Sequence, residues 1–307
     1  MAQPNPIGEQ HLGIGDIAVD DGINDNDSAL GLDSWDEDDT KSLSSSVLKY
    51  TWENGRRYHA YRDGAYWGPN DERQLDTEDF IEFAQQHESA EVIGVDLSPV
   101  QPSMVPPNVR FEVDDVSLDW TFPKDHFDFV HIRMLTGSIP SWPDFHKKVL
   151  SHLSPGGWVE QVELGMTTKS DDGTVTPDMP FAKWEHVFTI AGEQMGKTFL
   201  ASDLAADSMR EAGFQNVNEM RLKLPIGRWP RHETLKIWGT WCRAFLADGL
   251  EGFGLRMMTG VLGWTYEETQ AFLADMKRHL MDPKIHGYVE IFRVVAYGQK
   301  PSGKTQA

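Results

Sequence analysis

Four short apolar segments, three of them ending in a charged residue, constrain the fold of this chain more than any other feature of its sequence. They are rich in β-branched and aromatic residues, which is typical of buried β-strands. The segments are Glu91–Asp96, Asn108–Asp114, Phe127–Arg133 and Trp158–Leu164. An amphipathic helix, Trp142–Leu153, separates the last two. Strands separated by helices or short loops predict an α/β fold built on a parallel sheet.

Acidic residues at two of these segment ends are the first candidates for a binding site. In a parallel sheet the ligand lies beyond the carboxyl ends of the strands. An acid at the position of Asp96 can accept hydrogen bonds from two ribose hydroxyls, although an acid that merely caps a loop would look the same. Asp114 or Asp115, after the next strand, can accept from an adenine amino group, and the Val116 N–H can donate to a ring nitrogen.

Composition excludes several other classes of function. The chain has 28 basic and 48 acidic residues, a formal charge of -20, which argues against direct binding of nucleic acid. Its one cysteine, Cys242, rules out an internal disulfide framework and a cysteine-based zinc site, and we expect it to be a buried filler. Neither a His-Glu-x-x-His nor a Gly-x-Ser-x-Gly motif occurs, so we expect no metal and no serine-hydrolase chemistry.

Targeting signals are also missing from the sequence. No run of 18 apolar residues is long enough for a transmembrane helix, and no basic region followed by an apolar core marks a secretory signal. We therefore expect no membrane partner and a cytoplasmic location. Nuclear residence stays open, because no Lys/Arg cluster decides it.

The negative charge is concentrated near the N-terminus. The first 40 residues hold eleven acids and no Lys or Arg, with few large apolar residues among them. Such a segment cannot bury enough surface to offset its chain entropy, so we predict a disordered acidic tail over 1–44. The tail either keeps the protein solvated or serves as a docking segment for a basic protein partner.

The second half of the chain is predicted to be mostly helical. Helices are expected over 177–195, 202–212, 231–247, 253–262 and 265–281, and strands over 217–224 and 287–297. These helices would form a lid over the substrate. Five aromatic residues either line an apolar substrate pocket or pack in the helical core: Trp184, Trp238, Trp241, Trp264 and Tyr266.

Several of these segments together resemble one enzyme family. The matching stretches are Ala90–Pro99, Val105–Asp115, Phe127–Arg133 and Leu153–Glu160, with Tyr61–Arg73 upstream of them. They resemble the class I S-adenosylmethionine-dependent methyltransferases, and in particular the LaeA-like methyltransferases of filamentous fungi. The resemblance implies a Rossmann-like, doubly wound, mostly parallel sheet. It also implies a methyltransferase-like domain over 45–307 and S-adenosyl-L-methionine as the cofactor.

The resemblance further implies roles for particular residues. Asp96 would hold the ribose and Asp115 the adenine, and the loop at His131–Arg133 would lie beside the methionine moiety. Leu97, Asp114 and Val116 complete the predicted cofactor-binding residues. The implied reaction is methyl transfer to a small molecule in fungal secondary metabolism. The alternative is a non-catalytic, methyltransferase-like scaffold or regulator of secondary metabolism.

No catalytic residue is identified by the sequence. His126, His131 and His146 are candidates for a general base, and only His131 is at the end of a strand. Core or surface histidines are commoner than catalytic ones.

The sequence departs from this family at one place. The glycine-rich turn after the first strand is expected about 20 residues before the ribose acid, which leads to Asp76 and Thr77. The preceding residues, Asn70–Asp76, contain no glycine and no run of Val, Ile or Leu, while a helix is predicted from Thr77 onward. The sequence therefore predicts that the first strand and its glycine loop are deleted.

Three explanations for this deletion stay open. The chain is a mis-spliced or mis-predicted product of the gene of an active enzyme, or it is a degenerate relative that has lost catalysis. In the third explanation another segment, such as Arg57–Trp67, takes the place of the strand.

Overall fold

The structure is a computed structural model that describes residues 15–20, 51–53, 56–58, 83–98 and 105–294, with backbone only at 51–53, 56–58 and 292–294. Its strands are β1 Thr51–Glu53, β2 Arg56–Tyr58, β3 Val92–Asp96, β4 Val109–Val113, β5 Phe127–Arg133, β6 Leu153–Lys169, β7 Met220–Pro225 and β8 Tyr288–Val294. Its helices are α1 Trp142–His152, α2 Pro180–Met195, α3 Ala201–Ala212, α4 Glu233–Arg256 and α5 Tyr266–Leu280. Residues 83–86 are also helical, and Met257–Val261 form a π-helical turn.

The strands pair in the way that an α/β fold requires. β3 pairs in parallel with β4, and β5 pairs in parallel with β6. The last two strands are antiparallel, which gives the order β5-β6-β8-β7 in the larger sheet. The α/β architecture predicted from the alternation of strands and helices is confirmed.

A break separates the two parallel strand pairs. Among the described residues no strand hydrogen-bonds to both β3 and β5, so β3-β4 and β5-β6-β8-β7 are separate sheets. Among the contacts between their surroundings, Phe83, in the helical residues before β3, stacks on Phe129 of β5 with ring centroids 6.4 Å apart. The break lies where the sequence predicts the loss of a central strand.

Helix α1 begins and ends at residues that its sequence explains. The Ser141 side chain caps its N-terminus by accepting a hydrogen bond from the Asp144 N–H, and a proline lies in its first turn. Its apolar face, including Phe145 and Val149, is buried against α3 in one of the hydrophobic clusters. β6 begins directly at Leu153, so α1 places the second parallel strand of this sheet without an intervening loop.

The helices of the second half differ from the prediction in one respect. The segments predicted as two helices, 231–247 and 253–262, form a single helix α4 that continues into the π-helical turn. Within this helix the missing side chain of Gly254 allows close packing. A Cβ there would lie 3.2 Å from the Leu273 and Met258 side chains, tighter than almost all real contacts.

Near the N-terminus the structure places six residues of the predicted disordered tail against the body of the protein. In this segment, residues 15–20, the Asp20 N–H donates to the Trp229 carbonyl at 2.8 Å. The Ala18 carbonyl accepts from the Arg231 N–H at 2.7 Å. The Asp20 carboxylate also pairs with Lys236 at 2.5 Å. These residues differ from the expected tail because their acids have basic partners on the folded surface.

The sequence near Ser46–Glu53 also predicts a short helix. That prediction is wrong over the last three of these residues. Thr51–Glu53 form strand β1, which pairs antiparallel with β2. The rest of that stretch lies outside the described residues.

The five aromatic residues of the second half do not form one pocket. Trp184 is buried in the core between α2 and α5, and Trp264 packs partly against the same cluster. The other three, Trp238, Trp241 and Tyr266, are exposed, Trp241 by 58%. Core packing therefore explains two of them, and neither core packing nor a shared pocket explains the other three.

In the described parts of the chain no helix is long and apolar enough to cross a membrane.

Candidate functional site

The carboxyl ends of β3 and β4 lie side by side. Asp96 is paired with Val113 in the strand register, and the Asp114 N–H donates to the Asp96 carbonyl at 3.0 Å. The acids predicted to contact ribose and adenine therefore come from adjacent strand ends. This is the place where ligands bind in parallel α/β sheets.

The Asp96 side chain holds the turn that follows β3. One of its carboxylate oxygens accepts the Ser98 N–H at 2.8 Å, a local turn that holds the side chain at the strand end. The surrounding protein atoms raise the pKa of Asp96 above its usual value, and hydrogen bonds from the Ser98 and Leu97 N–H groups oppose that rise. Asp96 itself is solvent-exposed, so a ligand can reach it.

The turn after β4 is held by its own acids. The Asp115 N–H donates to the Asp114 carboxylate at 2.8 Å. The Asp115 carboxylate oxygen Oδ1 accepts from both the N–H and the hydroxyl of Ser117, at 2.9 and 2.6 Å. Asp115 is buried, with 6% of its surface exposed. Asp115 therefore shapes the turn that presents Val116, in addition to any contact with a ligand.

Lys148 of α1 fixes the same turn from the other side, which no pattern in the sequence predicts. Its ammonium group donates to the carbonyl oxygens of Val116 at 3.1 Å, of Ser117 at 2.8 Å and of Leu118 at 2.5 Å. Burial lowers the pKa of Lys148, and the nearby Asp119 and Asp115 carboxylates oppose that effect. In the sequence, nothing distinguishes Lys148 from an ordinary surface lysine.

The predicted residues on β5 lie on one face of that strand. His131 and Arg133 are two residues apart, on the face of Phe129 against which Phe83 stacks. The His131 Nδ1 atom is 2.9 Å from the Glu160 carboxylate of β6. His131 is therefore engaged by an acid on the neighbouring strand, and no described contact links it to the acids at β3 and β4.

A buried carboxylate below the end of β5 was missed by the sequence analysis. Glu163 of β6 is fully buried and accepts hydrogen bonds from the Leu135 N–H at 3.2 Å and the Thr136 N–H at 3.0 Å. The Gln161 amide donates to the same carboxylate at 3.2 Å. Burial raises the pKa of Glu163 to about 7, and these three donors limit the rise. Strand periodicity could have shown that Glu163 faces inward beside Gln161, but not which groups it meets.

The histidine candidates separate clearly in the structure. His146 is fully buried between Ser208 of α3 and Gln161 of β6, at 2.7 and 3.0 Å. Burial lowers the pKa of His146 to about 4, so this histidine is neutral at physiological pH. It belongs to the core, while His131 lies at the surface.

Comparison with known proteins identifies the family. A family model described as a methyltransferase domain matches residues 76–219. The methyltransferase pytC of Aspergillus terreus is 35% identical over an alignment that covers 85% of this chain and 91% of pytC. This chain belongs to the LaeA-like, class I S-adenosylmethionine-dependent methyltransferases. The secondary metabolism regulator LAE1 of Cochliobolus heterostrophus is 30% identical, covering 78% of this chain and 92% of LAE1. The protein-methionine methyltransferase laeA of Emericella nidulans is 26% identical, covering 85% and 81% of the two chains.

Each of these alignments contains more positions than it contains residues of this methyltransferase. The alignment with pytC spans 297 residues, whereas 85% of 307 residues is about 261, so about 36 positions have no residue here. With LAE1 the span is 281 residues and the covered part, 78% of 307, is about 239, a difference of about 42. A strand, its glycine loop and the beginning of a helix occupy a segment of this size.

The cofactor of this family is S-adenosyl-L-methionine. The acids at the ends of β3 and β4 fit its adenosine half, because an exposed carboxylate and a fixed turn lie side by side there. In the regions that the structure describes, no strand occupies the break between β3 and β5, where the glycine turn of the family would stand. The same regions contain no group of three or more His, Cys, Asp or Glu residues arranged to hold a metal ion.

Proposed function

We propose that this methyltransferase binds S-adenosylmethionine at the ends of β3 and β4 and methylates a small molecule of fungal secondary metabolism. The observation that carries the proposal is the hydrogen bond from the Asp114 N–H to the Asp96 carbonyl. It brings together two strand ends whose side chains are suited to an adenosine. The similarity to pytC and to the regulator LAE1 supports the biological setting.

Each predicted site residue has a proposed role toward the cofactor. Asp96 and the adjoining Leu97 hold the ribose, since the exposed Asp96 carboxylate can accept from both hydroxyls. The adenine lies against the Asp114–Val116 turn, which Lys148 and Ser117 fix in place. His131 and Arg133 lie toward the methionine end. These assignments agree with the positions of the strand ends.

The chemistry of the transfer needs alignment more than acid–base catalysis. The cofactor supplies a methyl group already activated on a positively charged sulfur. The protein has to hold the acceptor atom in line with that methyl group, and such positioning accounts for much of the barrier lowering in reactions of two bound partners. His131, engaged by Glu160, is the one strand-end histidine, and we assign no base.

The second candidate function is a non-catalytic regulator of secondary metabolism. Two observations favour it: the break between β3 and β5, and the similarity to LAE1, which is described as a secondary metabolism regulator. As a regulator, the protein would use its methyltransferase-like surface and its acidic N-terminal tail to bind a protein partner of opposite charge.

Calorimetric titration with S-adenosylmethionine tests the proposal. We expect a dissociation constant in the micromolar range, about -8 kcal/mol. Asp96→Asn should weaken binding at least about tenfold, because it removes a charged acceptor of two hydrogen bonds. Asp207→Asn is the matched control, since Asp207 is an exposed acid paired with Arg210 on α3, and it should change nothing. No heat from the unmodified chain at high concentration would refute the enzyme and leave the regulator.

The domain organisation and the partners complete the proposal. We place the methyltransferase-like domain at 45–307, after an acidic tail at 1–44 whose residues 15–20 dock on the domain. A formal charge of -20 supports a protein without direct contact to nucleic acid. We propose a cytoplasmic location, with the nucleus as the alternative.

A further inference from the structure

We propose that Glu163 is a positioning residue that fixes residues 134–138, the segment after β5, for binding the amino-acid end of the cofactor. The inference rests on the proposed function, which places the adenosine at β3 and β4. It concerns a residue that touches no ligand itself and acts through the backbone above it.

The first argument is the way that Glu163 holds this segment. Its two carboxylate oxygens accept from two successive backbone N–H groups, Oε1 from Leu135 and Oε2 from Thr136. These N–H groups point down to β6 instead of into a strand ladder, because Met134 before them has a left-handed backbone, φ 52°. Without the carboxylate these two N–H groups would lose their acceptor, which is unfavourable for donors shielded from water.

Burial of the Glu163 carboxyl group is energetically unfavourable in itself. An apolar side chain of similar volume is often more favourable at a fully buried position, unless hydrogen-bond donors satisfy the lone pairs of the carboxylate. The described neighbours of Glu163 are donors: two backbone N–H groups and the Gln161 amide. Two of these three donors belong to the segment after β5, so the Glu163 carboxyl group holds that segment.

A chain of buried side chains orients the carboxylate. The Gln161 amide oxygen can only accept, so the neutral His146 ring carries its proton on Nε2 and donates it to that oxygen. The Ser208 hydroxyl then donates to His146 Nδ1, and the Gln161 amide nitrogen donates to Glu163. In this order each donor of the chain meets an acceptor. α3, α1 and β6 thus all contribute to placing one carboxylate.

The position of the held segment points to its ligand. β5 pairs in parallel with β6, and the segment that follows β5 lies at its carboxyl end, where ligands bind in parallel sheets. The proposed function puts the methionine end of the cofactor beside His131 and Arg133, so the amino-acid end would meet this segment. The Ser138 hydroxyl, also in the segment, is buried and has no hydrogen-bond partner among the described residues. It is suited to a carboxylate or an ammonium group.

Two ligands that differ only in the amino-acid end separate positioning from general support of the fold. S-adenosylhomocysteine carries that end, whereas 5′-methylthioadenosine has the same adenosine and sulfur without it. We expect Glu163→Gln to weaken binding of S-adenosylhomocysteine about tenfold, of the size seen when supporting residues of a site are changed. Binding of 5′-methylthioadenosine should stay within about twofold. Asp96→Asn should weaken both ligands.

Controls distinguish the inference from the proposed function. Glu290→Gln removes another carboxylate of the same sheet, one that pairs with Lys169 on β6, and should affect neither ligand. If Glu163→Gln does not fold, Gln161→Met removes one donor to Glu163 and should give the same selectivity with a smaller loss. An equal loss for both ligands, or none, would overturn the positioning role while leaving the proposed function intact. Failure of the unmodified chain to bind either ligand would refute both the positioning role and the proposed function.

Discussion

At the scale of single residues, two buried titratable groups have opposite effects on stability. Burial raises the pKa of Glu163 from 4.5 to about 7, so the folded state binds an extra proton between these values. Stability from this group is present below pH 4.5 and is lost as the pH rises to about 7. Burial lowers the pKa of His146 from 6.5 to about 4, so its contribution is present above pH 6.5 and is lost as the pH falls to about 4.

The two contributions oppose each other between about pH 4.5 and 6.5, which predicts a measurable difference in Glu163→Gln. The variant keeps only the His146 contribution, whose slope is about 1.4 kcal/mol per pH unit. The free energy of unfolding of the variant should therefore rise between pH 5 and 6.5 by about 2 kcal/mol more than that of the unmodified protein. Chemical denaturation at the two pH values measures this. Parallel pH profiles would show that folding does not raise the pKa of Glu163.

Cys242 gives a second prediction at this scale. The sequence analysis expected a buried filler, and the structure confirms burial, with 5% of the residue exposed. Burial also raises the pKa of the thiol to about 12, so almost no thiolate forms at pH 8. Alkylation by iodoacetamide, followed by mass spectrometry, should be slow for the folded protein and fast in denaturant. Equal rates in the two conditions would contradict the burial.

At the scale of elements, the lengths of helices and strands follow from local sequence more often than their continuity does. Helix α1 and strand β5 lie within one residue of their predicted bounds, because a capping serine and an apolar alternation define them. Helix α4 was divided in the prediction, whereas the structure continues it through both segments. One of its glycines, Gly239, faces the backbone of Gly227.

Gly239→Ala tests this close approach. The Gly227 N–H donates to the Gly239 carbonyl at 2.8 Å, and a Cβ at Gly239 would lie 1.9 Å from the Gly227 carbonyl oxygen. Backbone cannot move aside as a side chain can, so we expect a loss of about 1–3 kcal/mol in the free energy of unfolding. Gly260→Ala is the control, since its nearest neighbour is the Arg256 side chain at 4.0 Å. It should be neutral or stabilising by up to about 1 kcal/mol. Equal effects would refute the packing role of Gly239.

At the scale of the whole molecule, the break between β3 and β5 is the feature with the largest consequence. An unpaired strand edge promotes association between chains, and a central break removes one wall of a cofactor crevice. The 36 to 42 alignment positions without a residue here match the size of the predicted loss. The explanations of the sequence analysis make different predictions for a chain in which this segment is restored.

We expect the corresponding segment of pytC, inserted before Thr77, to strengthen binding of S-adenosylhomocysteine and to reduce self-association. The inserted strand would pair with β3 and β5 and return a glycine turn to the crevice. Titration calorimetry and light scattering of the two chains measure these effects. Unchanged binding would favour the explanation in which another segment already replaces the strand.

The messenger RNA provides an independent test of the splicing explanation. Sequencing the transcript across codons 60 to 90 should show an exon that encodes a glycine-rich strand and is absent from the given sequence. A native transcript that reads as the present chain does would eliminate a splicing or prediction error. The degenerate relative and the substituted strand would then remain.

The sequence by itself determined the α/β class, the strands that carry Asp96 and Asp114, the family, and the place where a strand is missing. These features depend on periodicity and on residues adjacent in the chain, which is information that a sequence holds locally. Only the tertiary structure showed Lys148 on the Val116 turn, the docking of residues 15–20, and Glu163 beneath the end of β5. Each of these depends on hydrogen bonds between residues about 30 to 200 positions apart, and such pairs form only after packing has decided which buried polar groups must satisfy one another.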